Sequence, residues 1–285
     1  MPPDPRRVVE LAQEESLAKG ITTFDDAGSS FENIDVFKEM AEDGSLDIRL
    51  WVMVRESVAE LTEHLAAYKM IGVGEDRLTV RAIKMAIDGA LGSHGAWLLE
   101  PYSDLPESAG LNTSDLEDAA ATAELAIEHG YQFAMHAIGD RGNRETLDIF
   151  QWAFTNNPEE EDLRWRVEHA QHLHPDDIPR FGNMQVIASM QGIHATSDGP
   201  WIADRLGHER VDWGAYVWRD LMDAGAIIAN GTDAPVEDVD PVASYYSSVS
   251  RMMSNGEVLT PRQKMSRMEA LKSYTINNAY AGFEE

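Results

Sequence analysis

From one end of the chain to the other, short runs of β-forming residues alternate with amphipathic helical stretches. Seven runs stand out: Ile21–Asp25, Ile48–Val54, Leu78–Ile87, Gln132–His136, Trp165–His169, Val186–Met190 and Ala226–Gly231. Helical periodicity fills 8–19 before the first of them and 58–70, 114–129 and 143–154 between later ones. Strands separated by helices pair in parallel, because each crossover brings the chain back to the end of the sheet where it started. A closed barrel and an open doubly wound sheet both satisfy this pattern. The doubly wound sheet usually carries a glycine-rich phosphate loop after its first strand. "GITTFDDAGSS" has the strand but not the G-x-G-x-x-G spacing. The expected fold is therefore α/β, a (β/α)8 TIM-barrel-like architecture with seven recognisable strands, incomplete by one. A length of 285 residues suits one such barrel. With no Gly/Ser linker and no low-complexity segment, residues 1–285 read as a single domain.

Polar residues gather where the strands end: Asp25-Asp26, Lys84, His136, His169, Gln191, His194 and Asp233. A barrel builds its active site at that face, from the loops after its strands. Four of these residues, Lys84, His136, His169 and Asp233, each close an apolar strand and are far apart in sequence. The chain has no cysteine, so disulfides, thiolate zinc sites and cysteine nucleophiles are excluded. Two neutral imidazoles, a carboxylate and one further anionic oxygen suit Zn2+ or a similar divalent cation. Lysine as ammonium cannot ligate a metal. As a carbamate, formed with CO2, it becomes an anionic ligand able to bridge two ions. Each residue also has a plainer reading. A lone strand histidine is more often a satisfied core residue, Lys84 is a possible ion-pair partner of Asp88, and Asp233 in "GTDAP" fits turn chemistry. His172 and His174 are expected to cap or flank the helix that follows them, and His64, His129 and His208 to lie on the surface.

Fifty acidic against 23 basic residues give a formal charge of -27. Phosphate recognition needs a basic footprint, so nucleic acid and anionic membranes are not expected partners. The acids are dispersed rather than collected in a tail, and lysine is scarce beside arginine. That balance points to a halophilic protein whose self-repulsion is screened by salt, the alternative being an ordinary acidic protein. "MPPDPRRVVELAQEE" has no apolar h-region, and no run reaches the ~18 apolar residues of a membrane span. A cytoplasmic location is expected.

Taken together, "GITTFDDAG", "IKMAIDGALGS", "MHAIGDRGN", "RVEHAQ", "MQGIHATSD", "RLGHER" and "NGTDAPVEDVDP" resemble the amidohydrolase superfamily, within it the family-3 group that includes N-substituted formamide deformylases. The resemblance covers nearly the whole chain. It implies a distorted (β/α)8 barrel, a carboxylated Lys84, His136 and His169 as metal ligands, and Asp233 as ligand and general base. It also implies that His194 faces the substrate, a small molecule with an amide, formamide or cyclic amide C–N bond. The chain departs from the family pattern in several places. No H-x-H pair occurs before Ile21, and the one at His172–His174 follows the His169 strand. The family's small β-sandwich does not resume after "SYTINNAYAGFEE", and His94 stands where arginine is usual. The expectation is the barrel core of a longer enzyme that binds metal weakly and hydrolyses little by itself. An unclosed sheet is also expected to self-associate into a homo-oligomer or to distort its first βα unit. Two other classes remain open: a non-catalytic binding protein on the same barrel, and a metal-free aldolase-type enzyme with Lys84 as Schiff-base nucleophile.

Overall fold

The computed structural model describes residues 4–285. It contains eight strands: β1 Thr23–Ser29, β2 Arg49–Val54, β3 Met70–Gly72, β4 Leu78–Ala86, β5 Gln132–Ala137, β6 Arg166–His169, β7 Ile187–Gln191 and β8 Ile228–Gly231. Their hydrogen-bonded order is β1-β2-β4-β5-β6-β7-β8, with β3 attached to β4. The pairs β1–β2, β2–β4, β6–β7 and β7–β8 are parallel. This is the topology of a (β/α) barrel short of one strand, and all seven expected strands are present in it. The three-residue β3 was not expected; it pairs antiparallel through Met70 and Val80. Among the described residues, no helix is long and apolar enough to cross a membrane.

The chain divides into two compact units, the first running to Met85 and including Ala120–Ala134, the second made of Ala86–Ala119 and Met135–Glu285. In the first unit, β2 is buried at every residue after Arg49, as a parallel strand covered on both faces requires. Trp51 and Met53 of β2 form a core cluster with Ala82 and Ala134. Helix Phe31–Asp43 was not expected from the sequence. It buries Phe31, Ile34, Phe37, Met40 and Ala41, starts on the Ser30 side chain and ends at Gly44 with φ 79°. The first expected strand is shifted. Thr23 and Phe24 pair with Arg49 and Leu50, and the ladder continues past Asp25 and Asp26 to Ser29, opposite Val54. The two acids therefore lie within β1 and not at its end. Asp26 is accommodated there because its Oδ1 accepts the Ser29 hydroxyl (2.8 Å) and the Gly28 N–H (3.2 Å).

In the second unit, helix Asp140–Asn156 follows β5, and short helices Ile178–Met184, His194–Asp198 and Trp218–Asp223 punctuate the later connections. Helix Ile202–Gly214 is broken at Gly207, where φ is 75°. Helix Arg267–Ser273 opens with a capping box between Ser266 and Glu269. Ile187 of β7, Ala229 of β8 and Ala281 form a small core, closed by Ile227 and Tyr280. On the side of β8 that faces away from β7, Asn277 and Asn278 take three backbone groups. Asn278 accepts the Asn230 N–H (3.2 Å) and donates to the Asn230 carbonyl (2.8 Å), while Asn277 donates to the Ile228 carbonyl (2.9 Å). Side-chain amides thus take the backbone groups that a neighbouring strand would take.

Candidate functional site

Four of the expected residues come together in the second unit. His136 lies on β5, His169 ends β6, His194 opens the helix His194–Asp198, and Asp233 follows β8. His169 has φ 76° and Asp233 φ 58°. A left-handed backbone at a residue with a Cβ costs about 1–2 kcal/mol, and such strain concentrates at functional sites. In both cases it falls where strand gives way to loop.

One donor atom each from His169, His194 and Asp233 lies within 4.8 Å of the other two. His194 Nε2 is 3.5 Å from Asp233 Oδ2. The His169 and His194 rings stack at 6.0 Å, and His136 meets His169 edge-on at 4.4 Å. The site is thus a row of imidazoles ending on a carboxylate. His194 Nε2 is buried and makes no hydrogen bond. Burial lowers the His194 pKa, against the opposing charge of Glu237, and so favours the neutral ring, the form that ligates metals. A buried nitrogen without a hydrogen bond, a second imidazole and a carboxylate, with donor atoms within 4.8 Å of one another, make a donor set whose chemistry fits Zn2+ or a related cation.

The loop carrying His194 is held from behind. The Gly192 N–H donates to Asn230 Oδ1 (2.8 Å) and the Ile193 N–H to Ser244 Oγ (3.2 Å). A Cβ on Gly192 would lie 2.1 Å from Ser248 Oγ and 2.5 Å from the Ser244 carbonyl, so only glycine lets the loop pack this closely. Asp88 does similar work beside His136. Its carboxylate accepts the N–H groups of Ile138 (3.0 Å), Gly139 (2.8 Å) and Trp97 (2.9 Å), and its Oδ1 is 3.5 Å from His136 Nε2. Burial pushes the Asp88 carboxyl up to about 7, the three N–H groups pulling it down and Asp140 adding to the rise. Gln191, at the end of β7, places Oε1 2.7 Å from His169 Nδ1.

Lys84 belongs to the first unit and is 8% exposed. Its charge acts there on Asp26, whose carboxyl is raised by burial and lowered by its hydrogen bonds to Ser29 and Gly28 and by Lys84. His172 is not a helix cap. It is fully buried, faces Asp140 at 3.7 Å and packs on Trp213, and burial lowers its pKa to about 4. His174 does flank the following segment, accepting the Asp176 N–H at 3.3 Å. His208 is exposed, whereas His64 and His129 are half-buried. His94 is tied to Asp104 at 3.1 Å, and Arg205 holds the same carboxylate.

Sequence reasoning left Asp88, Gln191 and Asp198 without a role in the site. Asp198 lies one helical turn beyond His194, a spacing that was available in the sequence. Its Oδ2 accepts the Tyr216 hydroxyl and Gln171 Nε2 (3.0 Å). Nothing in the sequence marks Asp88 or Gln191 as a partner of a histidine on another strand.

The amidohydrolase family model matches residues 3–285. LONG AFTER FAR-RED 3 of Arabidopsis thaliana is 36% identical over 207 residues, 72% of this chain and 35% of that protein. N-substituted formamide deformylase of Arthrobacter pascens is 26% identical over 180 residues, 60% of this chain and 31% of that protein. Among solved structures, an uncharacterized metal-dependent hydrolase from Pyrococcus horikoshii OT3 superposes with a TM-score of 0.86 at 30% identity, over 98% of this chain and 56% of its own. The chain spans about a third to just under half the length of the curated relatives it matches.

Proposed function

This chain belongs to the amidohydrolase family, and on that footing we propose that it carries the metal-binding part of a hydrolase that cleaves a non-peptide C–N bond in a small amide, formamide or cyclic amide. The observation that carries the proposal is the convergence of His169, His194 and Asp233 within 4.8 Å. These three would hold the cation, with His136 at their flank. Imidazole-rich donors favour Zn2+ over Mg2+ or Ca2+, which take oxygen ligands. When bound, a divalent cation lowers the pKa of water towards ~7 and polarises a carbonyl oxygen. Asp233 accepts the proton of the attacking water and passes it to the leaving nitrogen. The resemblance cast His194 as a substrate-facing residue. Its buried Nε2, 3.5 Å from Asp233, suits it to hold the cation in this chain. Carboxylation of Lys84 belongs to the same proposal, supported by its burial. The A. pascens relative, by its name a formamide deformylase, supports N-formyl amines as the first substrates to try.

The test is equilibrium dialysis of the chain against Zn2+, with 13C-bicarbonate present, followed by assay on N-formyl and N-acyl amines. We expect at most one ion per chain, slow hydrolysis, a carbamate carbon signal lost in Lys84→Ala, and no binding by His169→Ala. Two tightly held ions would contradict the three-residue site. No ion and no turnover would remove the hydrolase reading.

A further inference from the structure

The His169–Gln191 contact has a chemical consequence. The Oε1 atom of glutamine only accepts hydrogen bonds, so a 2.7 Å contact to His169 Nδ1 requires the proton on Nδ1. The lone pair of the neutral ring is then on Nε2. The amide is oriented from its other side, where Gln191 Nε2 donates to the Ser189 carbonyl at 3.4 Å within the same strand. Gln191 is 7% exposed and His169 8%, so little water competes for either group. His169 also has a left-handed backbone, which a side chain keeps only when its surroundings hold it there.

We propose that Gln191 is a positioning residue: its amide oxygen fixes His169 as the Nδ1–H tautomer and turns Nε2 towards His194 and Asp233. The role is set in the metal-free protein, and its benefit to cation binding rests on the hydrolase reading above. Partners of this kind orient a ligating histidine, and their loss typically weakens metal affinity 10–100-fold. A neutral amide does this without adding a negative charge to a site that already contains Asp233.

The experiment uses the 285-residue chain, 15N-labelled and metal-free, in three forms: wild type, Gln191→Met and Gln191→Glu. Methionine keeps the volume and removes the acceptor; glutamate keeps an acceptor oxygen. Long-range 1H–15N correlation reads the His169 tautomer, and titration calorimetry reads Zn2+ affinity. Wild type and Gln191→Glu are expected to show Nδ1–H. Gln191→Met is expected to show mixed tautomers and an affinity about 10–100-fold lower. An Nε2–H tautomer in wild type would overturn the inference, as would a Gln191→Met protein with wild-type tautomer or wild-type affinity. A wild type that shows Nδ1–H but binds no Zn2+ would instead refute the hydrolase reading and leave the tautomer assignment standing.

Discussion

Asp198 illustrates how one side chain near the site couples to pH. Burial raises its carboxyl to about 6, with Glu237 adding to the rise and the hydrogen bonds from Tyr216 and Gln171 opposing it. The folded state therefore keeps this proton to a higher pH than the unfolded chain, whose carboxyl titrates near 3.8. Stability from this group is fully present below about 4 and is lost as pH rises through about 6. His172 acts in the opposite sense, since burial lowers it to about 4 and the folded state refuses a proton that the unfolded chain takes. The two slopes offset each other in the wild type, so the difference between variant and wild type is the informative quantity. Asp198→Asn should match wild type in denaturant unfolding below about pH 4. Above about pH 6 it should be more stable by about 1–3 kcal/mol. A difference that does not change with pH would show that Asp198 ionises normally in the folded protein.

At the scale of the element, β8 shows a device that strand prediction does not reveal. The strand is four residues long, and three of its backbone groups, the Asn230 N–H and the Asn230 and Ile228 carbonyls, are taken by Asn277 and Asn278. These side-chain amides stand at β8 where a neighbouring strand would otherwise pair. The pair "NN" reads in sequence as ordinary helix-surface polarity, because the partners are backbone groups some 48 residues earlier. Asn278→Ala strips two partners from Asn230, which is 4% exposed. A cost of about 1–3 kcal/mol is expected, read as a lowered thermal midpoint. An unchanged midpoint would mean that water or a rearranged Asn277 replaces both bonds. The same lesson holds for β1. The polar doublet Asp25-Asp26 suggested a strand end, yet pairing with β2 and the Asp26 contacts to Ser29 and Gly28 carry the ladder through it. Helix Phe31–Asp43 escaped the sequence reading because its five acids obscured the apolar stripe of Phe31, Ile34, Phe37 and Met40.

For the molecule as a whole, the charge of -27 is the property most open to experiment. Raising monovalent salt from ~0.1 M to ~1 M shortens the screening length from ~10 Å to ~3 Å. If this surface is adapted to high salt, the thermal midpoint should rise by at least ~2–4 °C over that range, about 1 kcal/mol for a chain of this size. A flat or falling midpoint would refute the adaptation to high salt and leave an ordinary acidic protein.

The sequence by itself determined the alternation of strands and helices and the places of seven of the strands, while their hydrogen-bonded order came from the structure. It also determined that His136, His169, His194 and Asp233 stand at or just after strand ends. These are local properties: periodicity, turn residues and the absence of cysteine constrain each segment without reference to its neighbours. Only the tertiary structure decided that His194 Nε2 comes within 3.5 Å of Asp233, that Gln191 Oε1 meets His169 Nδ1, that Asp88 braces the backbone beside His136, and that His172 is sealed in the core against Trp213. Each of these depends on the distance and direction between side chains on separate strands and loops. Such geometry is fixed by packing, and one-dimensional spacing does not encode it.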